Sequence, residues 1–104
     1  VISQPKQFQV VLYAILLLEP EKKTIFTGEI YELYQTVCKK IRSNVLTQRR
    51  ISDILAEFDT LGIINAKIIS KGRHGRTREI SIALGENIKT KLKEIIEKSI
   101  KLQT

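Results

Sequence analysis

All six arginines of this 104-residue chain, Arg42, Arg49, Arg50, Arg73, Arg76 and Arg78, lie between positions 42 and 78, and both ends use lysine only. A guanidinium is a planar fork of donors suited to phosphates and base edges, whereas lysine is the commoner solubilising charge. The densest run is Lys71-Gly72-Arg73-His74-Gly75-Arg76-Thr77-Arg78, with four cations in eight residues and no acid among them. A second cluster, Arg49 and Arg50, follows Thr47 and Gln48. Such a set can capture an external polyanion. Its only histidine, His74, sits among cations with no nucleophile or orienting partner, so general-base work is not indicated. The chain has no phosphate-binding loop, no plausibly paired carboxylates and no metal-ligand spacing. Its one cysteine, Cys38, falls on an apolar stripe and reads as a small buried hydrophobe. No enzyme, cofactor or metal is expected in these residues.

A formal net charge of +7 permits a nucleic-acid or anionic-surface partner, and an apolar content of 42% favours a folded domain over a disordered tail. The length suits one domain with one modest core. A single cysteine fits a reducing setting, and the expected location is cytoplasmic, on the nucleoid. There is no signal peptide and no apolar run long enough to cross a bilayer, so no membrane partner is expected. The chain begins at Val1 and contains no methionine. It is expected to be a fragment of a longer protein, monomeric when isolated.

The elements that must position the arginines follow from periodicity. Pro5 to Leu18 reads as a helix, and its run from Val10 to Leu18, apolar almost all round, predicts the most buried one. Glu19 to Lys23 is a polar loop, and Thr24 to Phe26 a very short strand. Thr27 is expected to cap a second helix whose core stripe is Ile30, Leu33, Tyr34, Val37, Cys38 and Ile41. Thr47 caps a third, spanning Leu46 to Leu61, with Ile51, Ile54, Leu55, Phe58 and Leu61 on one face and Gly62 as the left-handed stop. Arg49, Ser52, Asp53, Ala56 and Thr60 take the opposite face. The period then changes from 3.6 to 2. Ile64, Ala66 and Ile68, then Ile80, Ile82 and Leu84, mark two antiparallel strands joined by Lys71 to Thr77. Glu86 to Lys101 is a last amphipathic helix, with Ile88, Leu92, Ile95, Ile96 and Ile100 as its apolar residues. Three helices followed by a basic hairpin are the plan of a winged helix-turn-helix, mainly α with an extra C-terminal helix.

In that plan the Thr47 helix is the recognition helix and Lys71 to Arg78 is the wing tip. Two arginines in a helix first turn oppose the helix dipole, which suits a helix aimed at a polyanion. Arg49 either reaches bases or pairs with Asp53 at i, i+4, and the two readings are compatible. Arg50 lies to the side and suits a phosphate. Ser52 and Ala56 are small enough for close approach. Thr47 and Gln48 either cap only or also touch the DNA backbone. Arg73 and Arg76 flank His74-Gly75 and are placed to reach into a groove, while Lys71 and Arg78 sit nearer the strands and serve phosphates.

The strings Leu46-Thr47-Gln48-Arg49-Arg50-Ile51-Ser52-Asp53, Leu61-Gly62-Ile63-Ile64 and Ser70 to Ile80, with Thr27-Gly28-Glu29-Ile30-Tyr31, resemble the C-terminal winged-helix domain of archaeal replication initiators. These form the origin recognition complex subunit one / cell division control protein six family. The resemblance runs from about Phe8 to Leu84. It implies double-stranded DNA as partner at replication origins, with other replication proteins as further partners. It implies Thr47, Gln48, Arg49 and Arg50 in the major groove, Arg73, His74, Gly75, Arg76 and Thr77 in the adjacent minor groove, and a distorted duplex. It also implies an upstream AAA+ module holding ATP and magnesium. At His74 the resemblance departs from a tyrosine found in relatives, so a tyrosine's contacts are not carried over. Two alternatives stay open: a transcriptional regulator of the same fold, and a winged-helix protein-protein adaptor.

Overall fold

A computed structural model describes residues 5–20, 25–70 and 76–100. In chain order they form α1 (Pro5–Leu18), β1 (Ile25–Phe26), α2 (Thr27–Ile41), α3 (Gln48–Thr60), β2 (Ile64–Ser70), β3 (Arg76–Ile82) and α4 (Glu86–Ile100). The apolar run of α1 leaves it no solvent face, and all seven residues from Val10 to Leu16 are buried. Around α1 pack the stripes expected for α2 and α3: Ile30, Tyr34, Val37 and Cys38 from one, Ile51, Ile54, Leu55 and Phe58 from the other. Phe8 meets Phe58 edge to face, with ring centroids 5.6 Å apart.

The hairpin is part of a three-stranded antiparallel sheet in the order β1-β3-β2. Ile25 pairs with Ile80 and Phe26 with Glu79, so the very short strand covers an edge of the wing. The β2–β3 ladder runs from Ile64↔Ile82 to Ser70↔Arg76. Arg76 and Thr77 therefore belong to the ladder rather than to the connection. Alternation puts Ile64, Ala66 and Ile68 on one face with their partners Ile82, Ile80 and Arg78.

Four expectations are corrected. The residue before α2's first turn is Phe26, in extended conformation, because β1 pairing runs through it; Thr27 is already helical. Its hydroxyl is buried with no hydrogen-bond partner among the described residues. The Glu29 carboxylate instead accepts from the Phe26 N–H at 3.0 Å. Leu61 is not a core residue and is 60% exposed. Gly62, at φ +80°, turns the chain there, and Ile63 N–H returns to the Phe58 carbonyl while Gly62 N–H returns to that of Asp59. That is the Schellman pattern, which ends the apolar stripe one residue early. Ile88 and Ile95 are likewise exposed, because α4 docks chiefly on α1 and turns the narrow row Leu92, Ile96 and Ile100 inward. Ile68 shares a face with Ile64 but is 57% exposed, since the helical cover gives out toward the hairpin tip.

Polar contacts seat α4. The Tyr13 hydroxyl donates to Glu97 at 2.8 Å, and Lys89 lies 3.0 Å from both Glu19 and Glu86. Among the described residues no helix is long and apolar enough to cross a membrane.

Candidate nucleic-acid interface

The segment between α2 and α3 determines where the arginines of α3 stand. It begins with a second Schellman pattern: Arg42 N–H bonds to the Lys39 carbonyl and Ser43 N–H to that of Cys38. Arg42 itself takes the left-handed conformation, φ 56°, where glycine is usual. A mostly buried polar cluster then holds the turn. Gln7, on α1 and 4% exposed, donates through Nε2 to the Asn44 carbonyl at 2.9 Å and to Ser43 Oγ at 3.3 Å. Its Oε1 accepts from the Tyr34 hydroxyl at 2.6 Å. That hydroxyl also accepts from Leu46 N–H at 2.9 Å, and the Leu46 carbonyl accepts from Tyr31 at 2.9 Å. Burial raises the Tyr34 phenol well above its ordinary range, so it stays protonated and able to donate. Two tyrosines of α2 thus grip Leu46, the residue just before the Thr47 cap, while Gln7 of α1 holds Ser43 and Asn44 ahead of it.

Periodicity alone did not single out Gln7, Tyr31 or Tyr34 as positioning residues. The available signal was Gln7, a glutamine beside Phe8 and three residues before the apolar run that opens at Val10. A buried amide needs partners, and only a turn packed beside it could provide backbone ones.

From that anchor α3 starts as the sequence requires. Thr47 Oγ1 accepts from the Arg50 N–H at 3.2 Å. Gln48, Arg49 and Arg50 are exposed, and the first turn carries no acid. Asp53 is exposed too, while Ser52 is half-buried. The ion pair expected between Arg49 and Asp53 forms instead between Arg50 and Asp53, three residues apart, at 3.8 Å. Both partners are at least half exposed, so the pair contributes little to stability and serves to orient Arg50. No described carboxylate pairs with Arg49, which is left as the outward-facing guanidinium of the turn.

On the wing, Arg76, Thr77 and Arg78 are in β3. Lys71, Arg73, His74 and Gly75 lie outside the described residues, as do the side chains of Arg76 and Thr77. The place of Arg78 differs from the expected phosphate contact. It is half-buried, and its Nη1 donates to the Ser52 carbonyl of α3 at 3.0 Å. Register explains this: two residues before Ile80, Arg78 takes the sheet face turned toward the helices. At the far end of α3, Asp59 Oδ1 accepts from the Ala66 N–H of β2 at 3.2 Å.

A helix, a tight turn and a second helix, followed by a sheet hairpin fastened to that second helix, define a winged helix-turn-helix domain. More narrowly, the chain belongs to the family described as the CDC6 C-terminal winged helix domain, whose model matches residues 1–91. It is 52% identical over 81 residues to the ORC1-type DNA replication protein 7 of Halobacterium salinarum, covering 77% of this chain and 16% of that protein. It is 40% identical over 99 residues to the ORC1-type DNA replication protein 1 of Archaeoglobus fulgidus, covering 95% of this chain and 24% of that protein. The chain thus spans less than a quarter of the length of these relatives. Among solved structures it resembles the Aeropyrum pernix ORC1 protein in complex with DNA. The TM-score is 0.80 at 32% identity, over 92% of this chain and 24% of that one.

Proposed function

We propose that this chain is a double-stranded DNA-binding domain of a replication initiator, acting at origins, with α3 in the major groove and the wing in the adjacent minor groove. The observation that carries the reading is the exposed, acid-free first turn of α3, held by the Gln7–Tyr34–Leu46 cluster beside a wing fastened to the same helix. An α-helix fits a major groove, and its N-terminal residues are the ones that reach base edges. On this reading Arg49 meets bases, while Thr47, Gln48, Arg50 and Lys71 meet the backbone. Ser52 permits close approach and Asp53 orients Arg50. Arg73, His74, Gly75, Arg76 and Thr77 enter the minor groove, where a narrow groove concentrates negative potential around inserted arginines. The DNA complex of the Aeropyrum relative and the replication names of the others support the assignment.

On the same reading, residues 1–104 are one C-terminal domain of a larger AAA+ initiator, and ATP and magnesium belong to a module outside this chain. Among the described residues no group of three His, Cys, Asp or Glu is gathered to hold a metal.

The test is paired. Affinity for a selected duplex and for a scrambled one is measured at fixed salt for Arg76→Ala and Lys71→Ala, both of which should stay folded. Arg76→Ala is expected to reduce specific binding more than Lys71→Ala and to narrow the gap between the two duplexes. Equal losses on both DNAs from both variants would reduce the wing to an electrostatic anchor and remove the minor-groove assignment.

A further inference from the structure

We propose that Arg78 is a positioning residue: by holding the wing to the middle of α3 it sets the angle between the two DNA-facing elements, and thereby the domain's discrimination between a preferred duplex and random DNA. The discrimination half rests on the DNA-binding reading above; the angle does not.

The argument begins with the register. Arg78 pairs with Ile68 and shares a sheet face with Ile80 and Ile82, so the next inward position after two isoleucines is a guanidinium. That position lies where helical cover thins, Ile80 being fully buried while Ile68 opposite Arg78 is 57% exposed. A charge there is partly shielded from water and must find an oxygen. It finds the Ser52 carbonyl at 3.0 Å, across 26 residues of sequence. That carbonyl also serves the helix ladder, and a carbonyl oxygen has a second lone pair to offer.

One such contact would be a pivot. The second tie, Ala66 N–H to Asp59 at 3.2 Å, makes the difference. Ser52 and Asp59 are seven residues apart on α3, roughly 10 Å along its axis. Arg78 and the register level of Ala66 are two residues apart on β3, roughly 7 Å. Two points separated on both elements fix an angle. Without Arg78 the hydrogen bonds among the described residues tie the wing to α3 only at Asp59, and β1 pairing reaches no further than Phe26↔Glu79, so the tip levels from Ile68↔Arg78 to Ser70↔Arg76 can swing. A phosphate contact cannot depend on this angle as a groove insertion does, so loosening it harms specific binding more than general attraction.

The experiment uses the full chain with Arg78→Gln and Arg78→Lys. Lysine keeps the charge but lacks the planar fork. Free protein is followed by amide hydrogen exchange, and binding to a site selected with the unaltered chain and to a scrambled duplex is titrated over a salt series. The brace predicts faster exchange of the β2 and β3 amides in both variants without DNA. It predicts a drop of about tenfold in the specific-to-scrambled ratio for both, with the salt slope unchanged. If glutamine lowers the slope by about one on both duplexes and lysine restores it, Arg78 is a phosphate contact and the proposal is overturned. Unchanged exchange in both variants overturns it equally. If the unaltered chain binds neither duplex, the DNA-binding reading and the discrimination half fail together, while exchange still decides the brace. If Arg78→Gln does not fold, Arg78→Lys carries every comparison, since a phosphate role predicts that it behaves as the parent.

Discussion

Replacing Phe58 by alanine is expected to destabilise the domain by about 3–5 kcal/mol, a large fraction of what a domain of this size has in total. The ring is 3% exposed at the centre of the buried face of α3. Its removal loses the transfer energy of a phenyl group, leaves a cavity that the close-packed isoleucines cannot fill, and ends the edge-to-face contact with Phe8 at 5.6 Å. Since α3 also presents the exposed arginines, the variant should lose structure and DNA affinity together. Leu61→Ala is the internal control, because Leu61 lies past the helix end and 60% exposed; its effect should stay within about 0.5 kcal/mol. Denaturant midpoints at unchanged slope measure both. A shift below about 1 kcal/mol for Phe58→Ala would mean that α3 is not held by that face.

Tyr34→Phe should have the next largest effect, about 2–4 kcal/mol, although it removes one oxygen. The hydroxyl donates to Gln7 Oε1 and accepts from Leu46 N–H, so its loss strands a buried acceptor and a backbone donor at once. The effect should differ in kind from that of Phe58→Ala. The apolar core is untouched, so the fold persists, but the turn that enters α3 loosens and specific DNA binding weakens beyond what the loss of stability explains. The phenol also makes the fold alkali-sensitive. Its folded pKa is raised by burial, so the stabilisation is present below the ordinary tyrosine value of 10.0 and is lost as pH rises above it. Tyr34→Phe should blunt that alkaline loss. A variant as stable as the parent, with unaltered alkaline behaviour, would contradict the role given to the cluster.

Much of this was legible in the residues because local rules and global packing agree. Pro5, Thr47 and Gly62 mark helix boundaries by backbone chemistry, and all three stand where that chemistry places them. The change of period after Gly62 set the hairpin apart from the helices. What stayed hidden depends on neighbours far away in sequence. Ile88 and Ile95 are apolar at helical spacing, yet whether a second helix covers them is decided by the path of the chain. Thr27 has the right chemistry for a cap, but with Phe26 extended in β1 the cap position falls there and Thr27 is already the first helical residue. Gln7 and Tyr34 look like one polar and one aromatic residue until α1 and α2 lie side by side. The arginine count pointed to an anion-binding surface. Only the register on β3 showed that one of the six, Arg78, faces inward to the Ser52 carbonyl.

The central claim, capture of duplex DNA by the arginine surfaces of α3 and the wing, is tested most directly by titrating a generic duplex with the unaltered chain at several salt concentrations. If about five phosphates are neutralised, log K should fall with log salt at a slope of roughly −4 to −5, from displaced counterions at about 0.9 per phosphate. A flat salt response, or no binding even at low salt, would contradict the account and favour a winged helix that docks on another protein.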